Sequence, residues 1–362
     1  MKKLGFGFMR LPLLDSKEPT SFDEKQIFEM VDRFLEQGFT YFDTAYMYHS
    51  GKSEEMLRKA LVERHPREAY TVADKLPTMF LKEPDDVPRI FAEQLARTGL
   101  AYFDYYLLHC LDSDNYPIAE RLDCFSFVMQ QKAAGKIRKI GFSFHDTPEL
   151  LDEILTKHPE IEFVQLQINY LDWERASVQS RRCYETAVRH GKPVIVMEPV
   201  KGGKLAKVPE SAEKLLRAHA PALSVPSWAI RFAASLPQTM MVLSGMSDMA
   251  QLLDNTGYMK EFVPLTAEET ALCMQVREII ERANEIPCTA CHYCTDGCPA
   301  GIPIPDYFAL YNREGDTAEY EKYAETGGKA SDCLACGQCE SHCPQHLQII
   351  SLLERIAAKY ET

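Results

Sequence analysis

Up to about residue 260 the chain alternates short β-rich apolar runs with longer segments whose apolar positions recur at helical spacing. Eight runs read as strands: 4–9, 40–43, 70–75, 104–109, 137–143, 163–167, 193–197 and 240–244. Between them, apolar stripes at 87–100, 121–134, 148–155, 177–189, 226–234 and 249–255 read as helices. Ser53-Glu54-Glu55 reads as a helix start with acids in the first turn, followed by the stripe Met56, Leu57, Ala60 and Leu61. Strands joined through helices pair in parallel. Eight such units predict an α/β fold, a closed (β/α)8 barrel over residues 1–260, since that architecture takes about 250 residues. An open doubly wound sheet is the competing architecture, but no G-x-G-x-x-G follows a strand. Thr266 ahead of Glu268-Glu269 opens a linking helix over 264–284, within a linker spanning 261–285. From 286 to 362 the composition shifts to cysteine, glycine and proline, a second domain expected to end in a helix.

Composition adds exclusions. The 362 residues are 46% hydrophobic and 26% charged, enough for one large core and an appendage. No run approaches the roughly 18–20 apolar residues of a membrane span. Arg10 interrupts the N-terminal apolar stretch too early for a signal peptide. The expectation is a cytoplasmic protein without membrane contact. With 40 Lys+Arg against 53 Asp+Glu, a formal charge of −13, the chain is poorly suited to a phosphate backbone, and no nucleic-acid partner is expected.

The cysteines change the picture most. Of 12, eight lie between Cys288 and Cys343, in a run that occurs twice: Cys288-x-x-Cys291-x-x-Cys294-x-x-x-Cys298-Pro299, then Cys333-x-x-Cys336-x-x-Cys339-x-x-x-Cys343-Pro344. This is the iron–sulfur spacing in which three close cysteines wrap one cubane and the fourth ligates its neighbour. Paired zinc sites are the competing reading, although zinc favours C-x-x-C pairs over a triple run. Disulfides fit poorly in a chain without a secretory signal. Between the runs, 304–324 reads as helical, with Tyr307, Phe308, Leu310, Tyr311, Tyr320 and Tyr323 as its apolar positions.

In a (β/α)8 barrel the chemistry lies at the carboxyl ends of the strands. The polar residues closing the runs are Asp43, Lys75, His109, Ser143, Gln165 or Gln167, Glu198 and Ser244, with Tyr48 just beyond Asp43. Taken singly each has an ordinary explanation: a buried Asp/Lys pair, a hydrogen-bonded core histidine, a packing tyrosine. Together they would converge on one mouth.

Four stretches in this order resemble the aldo-keto reductases: Asp43-Thr44-Ala45-x-x-Tyr48-x-x-Gly51-x-Ser53-Glu54, Ala73-Asp74-Lys75, Tyr105-Tyr106-Leu107-Leu108-His109 and Gly135-Lys136-Ile137-Arg138-Lys139-Ile140-Gly141-Phe142-Ser143. The resemblance covers about residues 1–260. It implies an oxidoreductase that uses NADP(H) or NAD(H) to reduce a small aldehyde or ketone, or to oxidise the alcohol. Tyr48 would be the general acid, Lys75 would favour its phenolate, Asp43 would hold Lys75, and His109 would orient the carbonyl. It further implies that Ser143 and Gln165 bind the carboxamide, with Met197 where an aromatic commonly stacks on the nicotinamide. The phosphates would meet the stretch from Ser244 and Gly245 through Gln251 and Asn255, which lacks the Lys and Arg that clamp a 2′-phosphate in many relatives. Lys201, Gly202 and Gly203 are either a pyrophosphate contact or only a loop.

The duplicated cysteine run resembles a two-cluster ferredoxin, and its helical insert resembles the helical ferredoxin domains of fumarate-reductase-type enzymes. That resemblance assigns Cys288, Cys291, Cys294 and Cys343 to one [4Fe–4S] cluster and Cys333, Cys336, Cys339 and Cys298 to the other. A hydride carries two electrons together while a cubane passes one. Three arrangements follow: carbonyl reduction with clusters that are structural or dock an electron-transfer partner, a flavin-coupled link between the two halves, or an electron-transfer subunit with a non-catalytic barrel.

Overall fold

In a computed structural model, the structure is described over residues 2–361 apart from 284, 289, 293, 296, 314 and 344–346. Two compact units emerge, Met1–Lys207 with Arg217–Met274, and Val208–Leu216 with Gln275–Thr362.

The first unit is the expected barrel. Strands β1 (Leu4–Gly7), β2 (Tyr41–Asp43), β3 (Thr71–Leu76), β4 (Phe103–Leu111), β5 (Ile137–Phe144), β6 (Phe163–Gln167), β7 (Val194–Met197) and β8 (Thr239–Ser244) close in sequence order. Every neighbouring pair is parallel, β8 with β1 included. Apart from the exposed Arg138 and Lys139 of β5, the strands are largely buried on both faces, which is why they read as mainly apolar runs. Tyr41, Ala73, Leu107, Phe163, Ile195 and Met241 fill the interior. Room for the rings comes from glycine: a Cβ on Gly141 of β5 would lie 2.6 Å from the Phe163 ring, and one on Gly5 of β1 would lie 2.9 Å from Tyr41.

Three local features differ from expectation. β1 stops at Gly7, and Phe8–Arg10 turn into a 3-10 helix over the mouth. The crossover from β1 to β2 is a helix, Glu24–Glu36, capped by Asp23 and burying Ile27, Met30, Val31 and Phe34; it is not among the stripes picked out above. The stripe expected at 121–134 forms as helix Cys124–Ala133, and a second short helix, Tyr116–Arg121, precedes it, the two parted where Asp123 turns left-handed at φ 52°.

The second unit is helical. The helical segment expected over 304–324 consists of two helices, Ile304–Asn312 and Thr317–Thr326, the second capped by Asp316, which accepts the Glu319 N–H at 2.9 Å. With Ile349–Tyr360 these helices bury Ile304, Tyr307, Phe308, Leu310, Tyr320, Leu353 and Ile356. Helix Ala267–Ala283 forms as expected up to residue 283, and Asn284 lies outside the described residues. A further helix, Glu210–His219, was not anticipated.

Candidate active site

Each barrel strand points alternate side chains into the interior, and the last inward positions of β2, β3 and β4 are Asp43, Lys75 and His109. Lys75 is fully buried. Its Nζ donates to Asp43 Oδ1 and to the Thr44 carbonyl, both at 2.6 Å. Tyr48 stands on the turn Tyr48–Gly51, where His49 and Ser50 take left-handed φ values of 50° and 53°. Such backbone is costly for non-glycine residues. Here it is fixed from outside: His49 Nδ1 bonds the Pro19 carbonyl at 2.8 Å, and the Thr44 and Ser53 hydroxyls meet at 2.8 Å. The turn brings the Tyr48 ring centroid within 4.9 Å of Lys75 Nζ and sets the ring edge-on to His109, centroids 6.1 Å apart. The four residues singled out in sequence therefore share one mouth.

Their electrostatics differ by residue. Burial opposes charge on Lys75, yet Asp43 and Tyr48 lift its ammonium to about 12. Burial pushes Asp43 above the ordinary carboxylate range, against the pull of Lys75. Burial also lifts the Tyr48 phenol above its usual value; Lys75 pulls it down, as expected from sequence, but does not win. Burial, then Lys75 and His145, hold His109 well below the usual imidazole range, so it is neutral at pH 7. Its Nδ1 is buried with no hydrogen-bond partner among the described residues.

Around the other half of the mouth, Ser143 Oγ accepts the Cys110 N–H at 2.7 Å, at a bulge where Cys110 takes φ 60°. Gln165 Nε2 reaches Met197 Sδ at 3.5 Å, and its buried Oε1 has no donor among the described residues. At β8, Ser244 Oγ accepts Asn255 Nδ2 at 3.0 Å, and Gln251 Oε1 accepts the Ser247 N–H at 3.0 Å. Asn255 and Gln251 lie on helix Met249–Met259, which follows Gly245. The structure thus brings Ser143, Gln165 and Met197 together, and groups Ser244, Gly245, Gln251 and Asn255 separately beside them.

Two basic residues need revision. Lys201 is tied to buried Asp172 at 2.5 Å, so its ammonium is already paired. Arg10, passed over in the sequence except as a break in an apolar stretch, lies across Gly245: a Cβ there would meet its side chain at 3.1 Å, and one on Gly202 would meet its guanidinium at 3.5 Å. A cation directly after the first strand was the available signal.

In the second unit the eight motif cysteines divide four and four. Cys288, Cys291, Cys294 and Cys343 line one small apolar cavity with Phe308 and Ile349. Cys298, Cys333, Cys336 and Cys339 line another with Ile304 and Leu353. The last cysteine of each run crosses to the other cavity. The Pro344 that ends the second run lies outside the described residues. Four sulfurs in an apolar cavity are a donor set that fits a cubane cluster.

The aldo/keto reductase family matches residues 3–278, and a 4Fe-4S dicluster domain matches 287–348. A probable aldo-keto reductase of Glycine max is 27% identical over 183 residues, 48% of this chain and 49% of the relative, so the chain spans about half the length of that curated relative. The holo form of an aldo-keto reductase from Bacillus halodurans superposes with a TM-score of 0.60 at 27% identity, covering 76% of this chain and 91% of that one. An aldo-keto reductase from Klebsiella pneumoniae in complex with NADPH shares the fold, with a TM-score of 0.58 at 18% identity over 77% and 90% of the two chains. The chain belongs to the aldo/keto reductase family and carries a C-terminal 4Fe-4S domain.

Proposed function

We propose that the barrel reduces a small aldehyde or ketone, or oxidises the corresponding alcohol, with NADP(H) or NAD(H), in the cytoplasm, and that the C-terminal domain holds two [4Fe–4S] clusters serving an electron-transfer partner. The reading is carried by one observation: a fully buried ammonium, anchored on Asp43, facing the Tyr48 phenol. At neutral pH Tyr48 is protonated and ready to give its proton to a carbonyl oxygen, and the phenolate left behind is stabilised by Lys75. Asp43 keeps Lys75 in place and offsets its charge. Neutral His109 orients the oxygen as a hydrogen-bond donor without competing for the proton.

The residues fit a nicotinamide. The orphaned Gln165 Oε1 suits a carboxamide N–H, with Ser143 beside it and Met197 in place of an aromatic face. Bound there, the nicotinamide would supply the hydride. Gly245, Ser244, Gln251 and Asn255 would hold the phosphates, and Arg10 supplies a cation that the sequence of that stretch lacks. We expect Arg10→Ala to weaken dinucleotide binding about tenfold or more. Fluorescence titration with NADPH and NADH reads the change, which should shrink as salt is raised; unchanged affinity removes Arg10 from the site.

On the second unit, Cys291 and Cys336 are exposed, one at each cavity, which supports single-electron exchange with a partner at that surface. The decisive experiment on the barrel is anaerobic oxidation of NADPH and NADH with a panel of aldehydes and ketones. Carbonyl-dependent oxidation is the expected result. Its absence from protein with full iron content overturns the reading.

A further inference from the structure

Lys75 points into the mouth, so Asp74, its neighbour on β3, points outward toward the helices Ser53–Leu57 and Asp86–Thr98. Glu54 lies on the first of these helices, and neither it nor Asp74 has any exposed surface. Glu54 accepts Gln94 Nε2 at 3.0 Å on one oxygen and Arg97 NH1 at 3.2 Å on the other. The same Gln94 Nε2 donates to the Lys75 carbonyl at 3.0 Å, and Gln94 Oε1 accepts the Tyr106 hydroxyl at 2.5 Å. Asp74 Oδ1 accepts the Lys75 N–H at 2.8 Å. Asp74 Oδ2 is buried with no hydrogen-bond partner among the described residues, and the Glu54 carboxyl acts on it electrostatically.

Two enclosed carboxyls sharing one partly exposed guanidinium, which also engages Glu93 at 3.5 Å, cannot both stay ionised without large cost. Glu54 already receives a donor on each oxygen, so the extra proton belongs on Asp74 Oδ2, from which it is donated to Glu54. Burial and the Glu54 charge push Asp74 well above the ordinary carboxylate range, in the same sense.

The connectivity gives the pair a purpose. Lys75 is gripped at its N–H by Asp74 and at its carbonyl by Gln94. Glu54 sits six residues after Tyr48, in the short helix that the Tyr48 turn leads into. We propose that Asp74 and Glu54 form a proton-bridged strut that sets the spacing between Lys75 Nζ and the Tyr48 phenol. They are positioning residues, acting through Lys75 and the Tyr48 turn. The proposal rests on Tyr48 and Lys75 being the reacting pair, but one of its tests needs no turnover.

Asp74→Asn preserves an acceptor for the Lys75 N–H and a donor for Glu54, and is expected to keep wild-type behaviour. Asp74→Ala removes both. In that variant kcat is expected to fall about tenfold or more. The alkaline limb of its pH profile should move up by about one pH unit, because an ammonium further from the phenol favours the phenolate less. A crystal structure of Asp74→Ala should show Lys75 Nζ displaced relative to Tyr48 by about 0.5 Å or more. Should Asp74→Ala fail to fold, Glu54→Asp, which withdraws the carboxylate by one methylene, is read in the same way. Wild-type geometry and an unmoved alkaline limb in a folded strut variant overturn the proposal, as does Asp74→Asn falling as far as Asp74→Ala. A wild-type protein that reduces no carbonyl, with Lys75 still displaced in Asp74→Ala, keeps the strut and overturns the reduction reading.

Discussion

Lys75→Met is expected to lower kcat for carbonyl reduction by at least about 10²-fold while leaving the KM for the dinucleotide nearly unchanged. The magnitude follows from Coulomb's law. An ammonium about 5 Å from a developing phenolate, at an effective dielectric constant of ~20, contributes about 3 kcal/mol, and the ring centroid lies 4.9 Å from Nζ. Methionine fills the volume but not the charge. Tyr48→Phe should fall at least as far, and the double variant no further than Tyr48→Phe alone, because the two groups act as a unit. A Lys75→Met enzyme with more than about a third of wild-type kcat would show that the ammonium does not assist the phenol.

The same substitution has a stability signature with a definite sign. It leaves Asp43 buried without its cation, and breaking such a pair typically costs about 3–5 kcal/mol. Burial already pushes Asp43 upward and only Lys75 opposes it, so without Lys75 the folded state binds a proton more tightly than the unfolded chain. Stability from a raised carboxyl is present at low pH and lost as pH climbs through the folded value. Lys75→Met should therefore unfold at a higher temperature at pH 5 than at pH 8, relative to wild type at each pH. Equal deficits at both pH values would mean that Asp43 stays ionised in the variant.

How much of this was legible in sequence follows from what each residue faces. The eight strands were readable because parallel strands largely buried on both sides leave mainly apolar runs. Asp43, Lys75 and His109 were readable because they interrupt those runs at one end. The strut was not. Asp74 lies between Ala73 and Lys75 as one more polar residue at a strand end, and Glu54 reads equally well as an ordinary first-turn acid facing a helix dipole. Only the tertiary packing of Gln94 and Arg97 from a helix some forty residues further on shows that Glu54 is enclosed. Arg10 was hidden for a related reason: its partners, the loops at Gly202 and Gly245, come from the far end of the barrel sequence. The break between Asn312 and Thr317 was available in principle, since Asp316 followed by Glu319 is a helix-start pattern, but the tyrosines on either side continue the helical period across it.

The cysteine assignment yields the sharpest numerical test, because the crossed grouping and a run-by-run grouping predict opposite results for two double variants. If each cluster takes three cysteines from one run and the fourth from the other, Cys298→Ala with Cys333→Ala strikes a single cavity. Anaerobically prepared protein should then fall from about eight irons to about four. Cys288→Ala with Cys298→Ala strikes both cavities and should leave almost none, although both residues belong to the first run. A run-by-run grouping reverses the two outcomes, and zinc in place of iron and acid-labile sulfide removes the clusters altogether. Loss of iron should also be loss of fold in this unit: Cys294 and Cys339 are buried in the same apolar core as Tyr307, Phe308 and Leu353, so an empty cavity lies inside that core. Proteolysis should release fragments from residues 286–362 in the variant that loses both clusters. Hydride transfer requires no one-electron carrier, so nicotinamide-dependent carbonyl reduction by the barrel should persist in that variant; its disappearance from a barrel that still unfolds cooperatively would tie the two chemistries together.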